Sequence, residues 1–223
     1  EEIKHPSVRE CLRHLQFERG IEMQHNADLP GYSGLGSSSS FTVGLLYALL
    51  ALQGKEITKR DLALNAIHVE QKRIPENVGS QDQAAASFGG FNRIDFGGPE
   101  HIRVTPVQVD PATLRELQNR LMLFFTGFAR SASEVAGEQI RETPHRSVEL
   151  AQMQAMVGEA EKILAAGLGG LDDFGRLLHE SWLLKRGLTT RITTPFIDEL
   201  YEKALAAGAV GSKLLGAGGG GFL

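Results

Sequence analysis

One stretch constrains this chain more than any other: residues 30–52, PGYSGLGSSSSFTVGLLYALLAL. Gly31, Gly34 and Gly36 interrupt the backbone, Ser37, Ser38, Ser39 and Ser40 follow, and a long apolar helical run begins at Phe41. Physically this is a turn feeding the N-terminus of a buried helix. Glycines let a backbone approach a bulky anion, and the first N–H groups of a helix, with its dipole, favour negative charge there. Serine hydroxyls add donors for phosphate oxygens and an oxygen ligand for a hard cation. The stretch is not a Walker A loop, because no Gly-Lys-Ser/Thr closes it. Taken alone, it reads equally well as a glycine turn with a serine cap.

The rest of the chain narrows the partners. A net charge of −4 and a pI near 6.0 give no electrostatic case for nucleic acid or an anionic membrane. An anionic substrate would then be held by a local pocket. Cys11 is the single cysteine, in an apolar helical pattern, so it reads as core and no disulfide framework exists. Apolar runs are broken by Gly, Gln or charge well short of a membrane span, which makes a cytoplasmic protein the expectation.

In chain order, helices are expected over 7–17 and from the serines to about Gln53, with a short strand-like alternation at Ile21 and Met23 between them. Thr58 and Asp61 resemble a capping box opening a helix to about Lys72. Residues 81–87 form a short helix, and 91–96 with 102–109 a hairpin. Asp110-Pro111 caps the next helix and divides the chain into domains 1–109 and 110–223. Beyond it the pattern gives a buried strand over 121–126, a helix capped by Ser147, one over 171–185, and a last helix opening at Thr194-Pro195. Hairpins mixed with helices give α+β, not an alternating βαβ sheet.

Several polar residues stand out. Asp82 opens a helix after a glycine turn, where a carboxylate either caps the helix or takes a proton from a substrate hydroxyl. Glu70 precedes it by twelve residues among Gln71, Lys72 and Arg73, and spacing alone makes it a solvated helix residue. Arg130 and Ser131 follow an apolar strand; a guanidinium there either holds a phosphate or lies on the surface. Arg73, Arg93 and Lys213 compete for that phosphate. His68 and Glu70 form an H-x-E with no cysteines downstream, which argues against zinc, and no strand–turn–helix elbow supports a serine hydrolase.

Three motifs in order resemble the GHMP kinases, the family of galactose, homoserine, mevalonate and phosphomevalonate kinases. Pro30-x-x-x-Gly34-Leu35-Gly36-Ser37-Ser38-Ser39 resembles the central phosphate-binding motif, although alanine is usual at Ser39. Residues 79–92, GSQDQAAASFGGFN, resemble the branch acting on D-glycero-D-manno-heptose 7-phosphate, and residues 213–222, KLLGAGGGGF, the C-terminal glycine loop. The resemblance implies a two-domain fold, with an N-terminal domain like ribosomal protein S5 domain 2 and a ferredoxin-like C-terminal domain. Against the family pattern the chain would lack an N-terminal β-rich portion, with its basic residue, and a final strand or helix.

By the same resemblance the activity is ATP- and Mg²⁺-dependent phosphorylation of the anomeric hydroxyl of heptose 7-phosphate. Asp82 would be catalytic. Gly34, Leu35, Gly36, Ser37, Ser38, Ser39, Gly218, Gly219 and Gly220 would hold the nucleotide, Ser38 and Glu70 the Mg²⁺, and Arg130 and Ser131 the substrate phosphate. The partner is a small sugar phosphate, with no nucleic acid or membrane, and the oligomeric state stays open. The alternatives are another small-molecule kinase of the family, such as a fucose-type sugar-1-kinase, and a non-catalytic sugar- and nucleotide-binding regulator.

Overall fold

The computed structural model describes residues 3–28, 31, 34–74, 76–98, 101–127 and 132–223. The backbone groups into two compact units, one of Glu1–Gly31 with Gly36–Pro106 and one of Tyr32–Leu35 with Val107–Leu223.

The first unit is built round the glycine–serine stretch. It contains α1 (Pro6–His14), α2 (Ser37–Leu52), α3 (Lys59–His68), a π-helical turn (Val69–Arg73), α4 (Gln81–Phe88), β1 (Asn92–Phe96) and β2 (Ile102–Pro106). The expected buried helix α2 packs one side against α1, α3 and α4, while Gly44, Tyr47, Ala48, Ala51 and Leu52 on the other are exposed, so it is covered on one face only. Its Val43, Leu46 and Leu49 meet Cys11, Leu62, Ala66 and Val69 in one core. The Thr58 hydroxyl accepts from the Asp61 amide (3.1 Å) and donates to its carboxylate (2.6 Å), so the expected cap forms. At the far end of α3 the Ile74 amide reaches the Val69 carbonyl at 3.0 Å, an i→i+5 bond that re-aims the side chains of the turn. The hairpin pairs Asn92 with Pro106 through Phe96 with Ile102. The second strand ends at Pro106, which has no N–H for the ladder.

The strand expected at Ile21 and Met23 does not form: residues 20–27 have no regular structure and are exposed. Alternation supplies a face but not a neighbour, and among the described residues only β1 and β2 form a ladder.

The second unit holds α5 (Pro111–Arg120), α6 (Ala132–Glu142), α7 (Ser147–Ala165), α8 (Leu171–Arg186) and α9 (Pro195–Ala206). Asp110 Oδ1 accepts from the amides of Ala112 and Thr113, both at 3.0 Å, and Thr194 Oγ1 from that of Ile197 at 3.3 Å. Both helices then begin with proline, as expected. Ser147 is the first residue of α7 and not its cap; Arg146 holds that position, without a side-chain bond. The main core joins Trp182, Ile192, Ile197, Tyr201 and Leu214, with a smaller cluster of Leu117, Leu164 and Leu171.

Residues 121–126 correct a second expectation. The run is extended, and Phe124 exchanges backbone hydrogen bonds with Leu223, both at 2.9 Å, while the Thr126 amide donates to the Gly221 carbonyl at 2.8 Å. It is not buried. Leu121, Met122, Leu123, Phe124 and Phe125 are all exposed, Met122 by 70%. An apolar run predicts a strand covered on both faces, and here the covering layer is missing among the described residues.

Candidate functional site

The candidate site in the first unit lies where α2, the π turn and α4 converge. Gly36 caps α2 at φ 72°, a left-handed conformation that glycine adopts without strain, and offers the helix no side-chain cap. A β-carbon there would lie 3.1 Å from Cγ of Asp82. The Asp82 carboxylate therefore rests against the positive end of α2 at a closeness only glycine permits.

The four serines are divided by the helix. Ser38 and Ser40 are exposed at its first turn, and Ser39 is buried. Ser39 Oγ donates to Glu70 Oε2 at 2.7 Å and, one turn on, Thr42 Oγ1 donates to Glu70 Oε1 at 2.7 Å. Gln83 Nε2 donates to the same Oε2 from α4. Glu70 is thus no solvated residue: it is 4% exposed, and its carboxylate ties three helical segments together. Gln71, next in the π turn, donates to the Val78 carbonyl (3.1 Å) and to Ser80 Oγ (3.0 Å), fixing the loop that leads to Asp82.

Burial raises the Asp82 carboxyl above its ordinary value; the Gln81 side chain bonds it and opposes the shift, and the charge of Glu70 adds to it. Among the described residues, no Lys, Arg or His lies within ion-pair distance of Asp82 or Glu70. Two neighbouring carboxylates without a basic partner, beside exposed serine hydroxyls, are a donor set that suits Mg²⁺, which takes one or two carboxylates and completes its shell with phosphates and water. The residues present fit that ion. Cys11 is excluded from chemistry, since burial, then Glu70 and Glu10, push its thiol up to about 12.

In the second unit, Gly34 packs backbone to backbone on the C-terminal glycine segment. A β-carbon on Gly216 would approach Gly34 Cα to 2.9 Å, and one on Gly34 the Leu215 carbonyl oxygen to 3.3 Å. Gly218, Gly219 and Gly220 are buried, and the Gly219 amide is spent on the Ile192 carbonyl at 2.9 Å. A β-carbon on Gly218 would meet the Ile192 carbonyl oxygen at 2.8 Å, so close packing requires a glycine there. Arg130 and Ser131 lie outside the described residues. Arg93 is committed to Asp95, at 2.9 Å, and Arg73 is exposed.

Sequence reading missed Thr42 and Gln83. Ser39 and Thr42 stand one turn apart on an otherwise apolar helix, and a buried hydroxyl pair demands an acceptor, which was the available signal.

Comparison with known proteins agrees with the motifs. The profile of the GHMP kinases N terminal domain matches residues 6–90, and that of the GHMP kinases C terminal matches residues 160–223. The chain is 31% identical over 200 residues to D-glycero-alpha-D-manno-heptose 7-phosphate kinase of Campylobacter jejuni, covering 88% of this chain and 58% of that one. It is 29% identical over 207 residues to the bifunctional fucokinase/GDP-fucose pyrophosphorylase of Arabidopsis thaliana, covering 91% and 19%. The crystal structure of a D-glycero-D-manno-heptose 1-phosphate kinase from Bacteroides thetaiotaomicron superposes with a TM-score of 0.66 at 25% identity, covering 100% of this chain and 64% of that one. The chain spans less than two thirds of each of these relatives. Its helices with a small antiparallel sheet are the α+β class expected, and its two matched domains and motifs place it in one family: the chain belongs to the GHMP kinases.

Proposed function

We propose that this chain carries the acceptor-activating part of a sugar kinase that transfers the γ-phosphoryl group of ATP to the anomeric hydroxyl of D-glycero-D-manno-heptose 7-phosphate. The observation that carries this reading is Asp82, a carboxylate with a raised pKa seated against Gly36 at the N-terminus of α2. A raised pKa brings a carboxylate nearer to what a proton acceptor at neutral pH needs. The dipole and amides of α2, with Ser37 and Ser38, supply positive potential and donors for phosphate oxygens. Phosphoryl transfer asks the protein for little covalent work, so positioning and charge stabilisation are its main task.

In this reading Asp82 takes or orients the hydroxyl proton as the oxygen attacks in line. Glu70 and Ser38 would hold the Mg²⁺, which when bound would supply positive charge to the nucleotide's phosphates. Arg130 and Ser131 bind the distal phosphate of the acceptor. Among the described residues no helix is long and apolar enough to cross a membrane.

The fucokinase relative favours a second reading, a fucose-type sugar-1-kinase. In a protein completed with the N-terminal portion that the family carries, a panel of acceptors with ATP separates the two: phosphorylated heptose should be turned over far faster than fucose. Preference for fucose would replace the substrate, and binding of sugar without turnover of any acceptor would favour a regulator.

A further inference from the structure

A second group of unpartnered charges lies in the other unit, on α8 and the segment before the glycine loop. Lys185 Nζ donates to the carbonyls of Leu214 at 3.0 Å and Gly216 at 2.6 Å. Lys213 Nζ donates to Ser181 Oγ at 2.9 Å, one turn earlier on α8. All three acceptors are neutral. Among the described residues neither lysine has a carboxylate within ion-pair distance.

An ammonium has three N–H groups, so Lys185 keeps one to spare and Lys213 two. Burial lowers the Lys185 pKa to about 8, helped by the charge of Lys213, and burial lowers that of Lys213 as well. Bracing the loop needs one amine against carbonyls. A second half-buried cation beside it is unfavourable unless something negative completes the pair.

We propose that Lys185 and Lys213 form a binding site for a phosphate-type anion, with Ser181 and the carbonyls of Leu214 and Gly216 holding the two ammonium heads in place. Two positive heads match a doubly charged group, and a tetrahedral anion offers each head its own oxygen. The site stands without the kinase reading, which bears only on whether the phosphate belongs to a nucleotide or to a sugar.

Inorganic phosphate is the probe. Binding is followed by calorimetry, and the reactivity of each lysine by limited amine labelling at pH 8 with mass-spectrometric readout. Phosphate should slow labelling of Lys185 and Lys213 while leaving the exposed Lys55 and Lys203 unchanged. Lys213→Met, which leaves both Lys185 carbonyl bonds intact, should weaken phosphate binding roughly tenfold or more. Displacement of phosphate by ATP assigns the site to the nucleotide, and displacement by a sugar phosphate to the acceptor. Phosphate binding that is lost in Lys213→Met yet resists both competitors supports an anion site separate from the kinase reaction, and so distinguishes failure of that reading from failure of this one. Equal phosphate affinity in parent and variant, or no protection of either lysine in the parent, overturns the proposal.

Discussion

Asp82 touches Gly36: a β-carbon at residue 36 would sit 3.2 Å from Asp82 Cβ and 3.1 Å from its Cγ. A flexible turn alone does not require this closeness, so the glycine sets where the carboxylate rests. Gly36→Ala combines a left-handed φ with that contact. It should cost about 1–3 kcal/mol of stability and displace Asp82. Denaturant unfolding measures the first effect, and loss of turnover with nucleotide affinity retained measures the second.

Asp82→Asn should separate function from stability. The variant keeps shape and a bond with Gln81 but removes a desolvated charge that Glu70 repels. In a protein completed with the N-terminal portion that the family carries, turnover should fall roughly 10²–10⁴-fold while a nucleotide analogue still binds. The thermal midpoint should hold or rise, as expected where a site stores unfavourable charge for its chemistry. A large fall in stability with turnover intact would make Asp82 a helix cap.

The pH dependence has two opposite signs. Asp82 is an acid raised in the folded state, so above 3.8 the folded protein keeps a proton that the unfolded chain has lost. Its contribution to stability therefore falls as pH rises through the folded value, and the acid limb of turnover lies above the ordinary aspartate range. Lys185 is a base lowered to about 8 from 10.5, so between those values the unfolded chain holds the extra proton and stability rises with pH. Urea unfolding between pH 7 and 10 should show that rise, and Lys185→Met should flatten it.

The residues that turned out legible from sequence were those whose chemistry is local. Thr58, Asp110 and Thr194 cap the helices their spacing announces, because a cap needs only its own first turn. Motif resemblance, not spacing, is what singles out Asp82 and the glycines. Spacing alone makes Glu70 a solvated residue, since nothing in 70–73 records that Ser39, Thr42 and Gln83 converge on it from two other helices. Ile21 and 121–126 fail for the complementary reason. An alternating or apolar run states which face wants cover, but the partner that would cover it is set elsewhere in the chain.

The exposed run 121–125 should drive self-association of this chain. Five consecutive apolar residues on an extended segment are an adhesive surface. Met122→Lys, at the most exposed of the five, should lower the apparent mass in light scattering at high protein concentration without changing the thermal midpoint. A monodisperse parent chain would show the run to be harmless.

Glu70 supports the sharpest contrast between two substitutions. Glu70→Ala strands three donors, the hydroxyls of Ser39 and Thr42 and the Gln83 amide, all in buried side chains. An unsatisfied buried donor costs about 1–3 kcal/mol, and rotation of the hydroxyls recovers part of it, so roughly 2–4 kcal/mol should be lost. Glu70→Gln should be far milder. Its amide oxygen still accepts, the two hydroxyls can rotate, and the side-chain amide of Gln83 can turn over. That turn is open because Gln83 Oε1 is buried without a hydrogen-bond partner and would then accept from the new amide group. Stability should change by less than about 1 kcal/mol. The negative charge is nevertheless gone, so if Glu70 holds Mg²⁺, the Mg²⁺ concentration for half-maximal turnover should rise about tenfold or more. Unchanged Mg²⁺ dependence in a stable Glu70→Gln protein would leave Glu70 as the strut joining α2 to α4 and remove it from the metal site.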